Sequence, residues 1–117
     1  MDATKLADAP APVDGWVRAG TLEELRGGRV AVVSGGQHSV AVFADGDAVS
    51  AVDNRCPHMG FPLSRGTVCD GILTCHWHHA RFDLTTGGTF DPFADDVAVH
   101  DVRVVDGVVW VDPRPRS

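Results

Sequence analysis

The chain lacks any apolar run approaching the roughly 20 residues that cross a bilayer. No basic and apolar leader of the secretory type opens it. Basic residues are scarce: ten Lys and Arg stand against sixteen Asp and Glu, a formal net charge of −6. Nothing resembles a basic patch, so nucleic acid is not an expected partner. Cysteine is rarer still, with three in 117 residues. An odd count argues against a disulfide framework and for a reducing compartment, so a cytoplasmic location is expected. No nucleophile–base pair, nucleotide-binding segment or internal repeat is visible. What remains is one small acidic domain with a modest core. Its surface suits either docking on a basic partner or plain solubility.

Two of the three cysteines lie in short loops that also carry histidine. These are Cys56-Pro57-His58 and Cys75-His76-Trp77-His78, with sixteen residues between His58 and Cys75. Two thiolates and two imidazoles are the donor set of a Rieske-type [2Fe–2S] centre, in which histidines replace two cysteines on one iron. They are also the donor set of a tetrahedral zinc site. Zinc loops more often space their first ligands as C-x₂₋₄-C, and C-x-H is tighter, which leans towards iron. A two-thiolate cluster is less negative than a four-thiolate one. Adding an electron is easier, and potentials lie at roughly −150 to +300 mV against about −400 mV for plant-type ferredoxins.

The residues around the ligands extend this pattern. Cys56-Pro57-His58-Met59-Gly60 and Cys75-His76-Trp77-His78-His79-Ala80-Arg81-Phe82-Asp83, followed by Thr86-Gly87-Gly88, resemble the ligand loops of Rieske domains in bacterial ferredoxins and aromatic-ring dioxygenases. The resemblance runs from about Trp16 to Val111. It implies that Cys56, His58, Cys75 and His78 bind one [2Fe–2S] cluster per chain. Phe90-Asp91-Pro92-Phe93 falls where such domains carry a proline-containing covering loop. It further implies a one-electron carrier that takes electrons from a flavoprotein reductase and passes them to an oxygenase or another redox enzyme. No independent catalysis is expected. Two other readings follow from the same motif: a Rieske part of a larger oxygenase or oxidoreductase, and a redox-sensing regulatory module.

Departures from the family pattern are informative. The residue after the fourth ligand is usually glycine and here is His79. The high-potential respiratory relatives carry a disulfide between the loops, where this chain has Gly60 and Trp77. They also place a serine hydroxyl beside a cluster sulfur, where this chain has Ala80. Fewer hydrogen bonds to sulfur stabilise the reduced cluster less, so a potential near the low end of the Rieske range is expected.

The remaining sequence reads as short strands separated by Gly and Asp turns, an all-β antiparallel sandwich or barrel with a small cluster-binding subdomain. Residues 1–13 read as a loose tail, 14–112 as the domain, and 113–117 as a tail or linker. Thr21 with Glu24 predicts a capped helical turn. Ser34-Gly35-Gly36-Gln37 predicts a hairpin. His38 to Phe43 and Val99 to Val105 read as half-buried strands. Cys69 is expected at a turn entry as a small packing residue. His38 and His100 are expected to be structural or exposed, and His76 to lie on the loop surface. Phe61, Pro62 and Leu63, with Phe90, Pro92 and Phe93, are expected to cover the cluster. Asp83 is expected beside the ligands or paired with Arg81.

Overall fold

The computed structural model describes residues 12–35, 38–57, 60–76, 79–91 and 94–116. Most of the expected N-terminal tail lies outside these residues, as do Gly36, Gln37, His58, Trp77, His78, Pro92 and Phe93. The chain is nearly all β and every strand pairing is antiparallel.

Strand β1 (Val17–Thr21) leads into a single helical turn, α1 (Leu22–Arg26). That turn forms where the capping box predicts it. Thr21 Oγ1 accepts from the Glu24 amide at 3.1 Å, and Glu24 Oε1 accepts from the Thr21 amide at 3.0 Å. Five residues are too few for a helix to persist alone, so burial of Leu25 holds it in place. Strands β2 (Ala31–Val33), β3 (Val40–Asp45) and β4 (Ala48–Asp53) form a meander, joined on the β4 side by β8 (Val99–His100). A second sheet has the order β1-β10-β9, with β9 at Val102–Val105 and β10 at Val108–Val111. The third sheet is smaller: β5 (Thr67–Cys69), β6 (Ile72–Thr74) and β7 (Arg81–Asp83), preceded by a 3₁₀ turn at Leu63–Arg65.

Strand β3 departs from the expected half-buried pattern. Val40, Ala41, Val42 and Phe43 are all buried. Val40 and Val42 enter a core shared with Leu25, Ala51, Val109 and Val111, whereas Ala41 and Phe43 enter a second core with Val52, Leu63, Leu73 and Phe82. A strand covered on both faces needs apolar residues at consecutive positions, and alternation is lost. The run from Val99 to Val105 is likewise two strands rather than one. Val99 pairs with Val52 and Val102 with Val111, so the chain changes sheets at Asp101.

Candidate metal centre

The two ligand loops leave different sheets. The first follows β4 and ends at the 3₁₀ turn; the second joins β6 to β7. In the first, the Cys56 amide donates to the Phe61 carbonyl at 2.7 Å and the Gly60 amide to the Cys56 carbonyl at 2.6 Å. In the second, the Cys75 amide donates to the Ala80 carbonyl at 2.7 Å. Each cysteine therefore sits at the mouth of a closed backbone loop.

Cys56 is 1% exposed and Cys75 fully buried, and both belong to the core that contains Leu63, Leu73, Ala80 and Phe82. Among the described residues no disulfide forms. Two thiols brought from separate loops into one apolar core suit a metal–sulfur centre, because thiolate is the ligand form and a dry surround strengthens its interaction with iron. Histidines 58 and 78 lie outside the described residues.

Other contacts connect the loops. Phe61 of the first loop meets His76 of the second edge to face, with ring centroids 5.8 Å apart. His76 is exposed, as expected, and also joins the two loops. His79 adopts φ +58, the left-handed region that a glycine would enter freely. Histidine is among the residues that tolerate that region better than most, and the loop keeps its turn without glycine. Its side chain is exposed, in keeping with a solvated loop residue. Ala80 is fully buried and its methyl offers no donor.

Several expectations around the site are corrected. Cys69 is not a packing residue: it lies at the end of β5 and is exposed, with Sγ 3.8 Å from Asp70 Oδ2. Strand alternation turns Val68 towards the core and Cys69 away from it. Asp83 is not the partner of Arg81; its Oδ1 accepts from the Thr85 amide at 2.7 Å and shapes the turn after β7. The partner of Arg81 is Asp91. Asp91 Oδ2 accepts from the Arg81 amide at 2.8 Å and Oδ1 from Arg81 Nη2 at 3.2 Å. Those hydrogen bonds hold the Asp91 carboxyl below its ordinary range. Phe90 is 51% exposed, with the Arg81 guanidinium 6.0 Å from its ring centroid. Of the first group named as cover, Leu63 is buried and Phe61 and Pro62 are half-buried.

Sequence reasoning assigned His100 no specific partner. It is buried, with Nε2 2.7 Å from Asp53 Oδ1 and Nδ1 2.8 Å from the Asp112 carbonyl oxygen. No sequence signal links these three positions. The residues after β10 are also fastened: the Arg116 amide donates to the Val99 carbonyl at 2.7 Å and Arg116 Nε to Asp101 Oδ1 at 2.8 Å.

Comparison with known proteins resolves the choice between zinc and iron–sulfur. A profile of the Rieske [2Fe–2S] domain matches residues 15–101. The anthranilate 1,2-dioxygenase ferredoxin subunit of Burkholderia cepacia is 35% identical over 98 residues, spanning 83% of this chain and 91% of that protein. Among solved structures, the ferredoxin of carbazole 1,9a-dioxygenase from Nocardioides aromaticivorans IC177 superposes with a TM-score of 0.78 at 31% identity, covering 86% of this chain and 100% of that one. A ferredoxin-length chain in a complex of reduced oxygenase and oxidized ferredoxin in carbazole 1,9a-dioxygenase gives 0.81 at 25% identity, covering 90% and 99%. Several other relatives are far longer, and this chain spans only 14% to 25% of their length. No helix of the described residues is long and apolar enough to cross a membrane. The chain belongs to the Rieske [2Fe–2S] domain family, whose cofactor is the Rieske-type [2Fe–2S] cluster.

Proposed function

We propose that this chain is a one-electron carrier that delivers electrons to an oxygenase. The observation that carries this reading is the burial of Cys56 and Cys75 in one apolar core, in a chain that spans ferredoxin relatives almost end to end. Cys56 and Cys75 are the sulfur ligands, and His58 and His78 the nitrogen ligands. When bound, the cluster supplies a couple that accepts and releases a single electron. The protein keeps water from the sulfur side with Leu63, Leu73, Ala80 and Phe82. It locks the mouth of each loop with the hydrogen bonds that the Cys56 and Cys75 amides donate. Residues 14–112 form the carrier domain and 113–117 a tail or linker. The acceptor is inferred from relatives named as dioxygenase ferredoxins and from the oxygenase–ferredoxin complex. A flavoprotein reductase is the proposed donor and the cytoplasm the proposed compartment. With Ala80 giving no hydroxyl to sulfur, the potential lies low in the Rieske range.

The test is iron and acid-labile sulfide analysis, then electron paramagnetic resonance of the dithionite-reduced protein and a redox titration. Two irons and two sulfides per chain with a Rieske spectrum are expected, and Cys56→Ser or Cys75→Ser should abolish both. A colourless protein holding one zinc overturns the reading. The longer relatives support a second reading, in which the domain serves inside a larger oxidoreductase. Turnover of a purified oxygenase on adding this chain and a reductase favours the separate carrier.

A further inference from the structure

We propose that His100 is a positioning residue, which through Asp53 fixes the base of the first ligand loop. His100 is the one buried polar or charged residue among those described, and its side chain is 1% exposed. A buried imidazole is tolerated only where both ring nitrogens are matched. A backbone carbonyl can only accept, so Nδ1 donates to Asp112. Nε2 then meets the Asp53 carboxyl group across one shared proton, at 2.7 Å. An apolar side chain would fill the same space without needing partners, so the histidine is explained by what it holds in place.

It holds three elements. His100 lies on β8 opposite Ala51 of β4, and its ring reaches forward to Asp53, the last residue of that strand. Its other nitrogen reaches Asp112, just beyond β10 in the other sheet. Asp53 is three residues before Cys56. The intervening chain has anchors of its own: the Asp53 amide donates to the Ala98 carbonyl at 2.9 Å and the Asn54 amide to the Ser39 carbonyl at 2.8 Å. Asn54 Oδ1 accepts from the Ser64 amide at 2.7 Å, closing the far end of the loop. The Asp53 side chain enters this group partly exposed, beside a cleft shared with His38, Arg55 and Pro57, and His100 is what orients it. Both sheets thus bear on the point from which the first loop departs, whereas the second loop rises from the small third sheet and has no contact with His100 in the bonds described.

The inference uses the preceding reading only in calling 54–61 a ligand loop, so the test reads the backbone directly. Hydrogen–deuterium exchange by mass spectrometry is measured on the iron-loaded wild type, His100→Leu, Asp53→Asn and Val109→Ala. The last removes core volume and takes no part in the hydrogen bonds of His100 or Asp53. His100→Leu strands two acceptors and should speed exchange at 54–57 on the order of tenfold, with 72–76 unchanged. Asp53→Asn can still hydrogen-bond Nε2 and should stay close to wild type. Val109→Ala should leave the ratio between the two loops as it is. Equal acceleration at both loops, no acceleration in His100→Leu, or Asp53→Asn behaving like His100→Leu overturns the proposal. Where His100→Leu yields no folded protein, Asp53→Ala, which deletes the partner and keeps the ring, carries the same comparison. Retention of the cluster by Cys56→Ser with this pattern intact would overturn the ligand assignment and leave the present proposal standing.

Discussion

Gly87 and Gly107 share a backbone conformation and differ in what surrounds them, so substituting each by alanine separates conformational strain from collision. Their φ values are +79 and +77. An L-residue in that region costs roughly 1–2 kcal/mol. At Gly107 an added methyl meets nothing within 4 Å, so Gly107→Ala should cost that amount and little more. At Gly87 the methyl would fall onto the Val97 carbonyl oxygen and stand 3.0 Å from Val99 Cγ1. Neither side can yield easily. The Gly87 amide donates to the Asp83 carbonyl at 2.7 Å, the Val97 amide donates to the Gly87 carbonyl at 2.9 Å, and Val97 and Val99 are buried in the core that holds both cysteines. Relief means giving up one of those hydrogen bonds, about 1 kcal/mol, and distorting a packed core, about 1–3 kcal/mol. The total for Gly87→Ala is about 3–6 kcal/mol, a large share of the roughly 5–15 kcal/mol that holds a domain together.

The assay is the thermal midpoint of the iron-loaded proteins by far-ultraviolet circular dichroism at one scan rate, with cluster absorbance followed in parallel. Each kcal/mol moves the midpoint by roughly 2–8 °C in domains of this order of size. Gly87→Ala should therefore fall well below Gly107→Ala and release its cluster sooner, because the turn it closes backs the β6–β7 hairpin. Equal shifts for the two variants would refute the steric argument and leave φ alone as the reason for glycine at 87.

His79→Gly should raise the thermal midpoint by up to about 1 kcal/mol equivalent, since it relieves a left-handed L-residue at some cost in chain entropy, whereas His79→Val should lower it. Thr21→Ala should cost about 1 kcal/mol in denaturant unfolding by removing the cap of α1. The Thr21 amide and hydroxyl, aided by Arg29, outweigh burial and hold Glu24 below its ordinary value of 4.5. A depressed carboxyl contributes stability above its unfolded value and loses it as pH falls through the folded one. Stability should thus decline on acidification below about 4.5, and Glu24→Gln should flatten that decline while lowering stability at neutral pH. His58→Cys should lower the reduction potential if the cluster assembles, because a third thiolate adds negative charge; an unchanged potential in protein film voltammetry counts against His58 as a ligand.

What could be read from the sequence divides along chain distance. The cysteine–histidine loops were legible because a metal demands its donors at short, fixed spacing, and each loop supplies its pair within four residues. The capped turn at Thr21 was legible for the same reason, its chemistry being complete within a few residues. The double burial of β3 was not, since whether a strand is covered on one face or two depends on β1, β10 and the small third sheet closing over it. The partner of Arg81 was misjudged because the nearest carboxylate in sequence, Asp83, turns to its own local amide, while Asp91 arrives across a hairpin. His100 is the extreme case: its two partners are 47 and 12 residues away, and one is a backbone carbonyl with no residue signature at all. Yet the ligand loops need such distant anchors, because a short loop can offer a metal its donors but cannot by itself set where those donors stand. The orientation of the donors is set by the strands beneath, and the sequence marks those strands only as apolar.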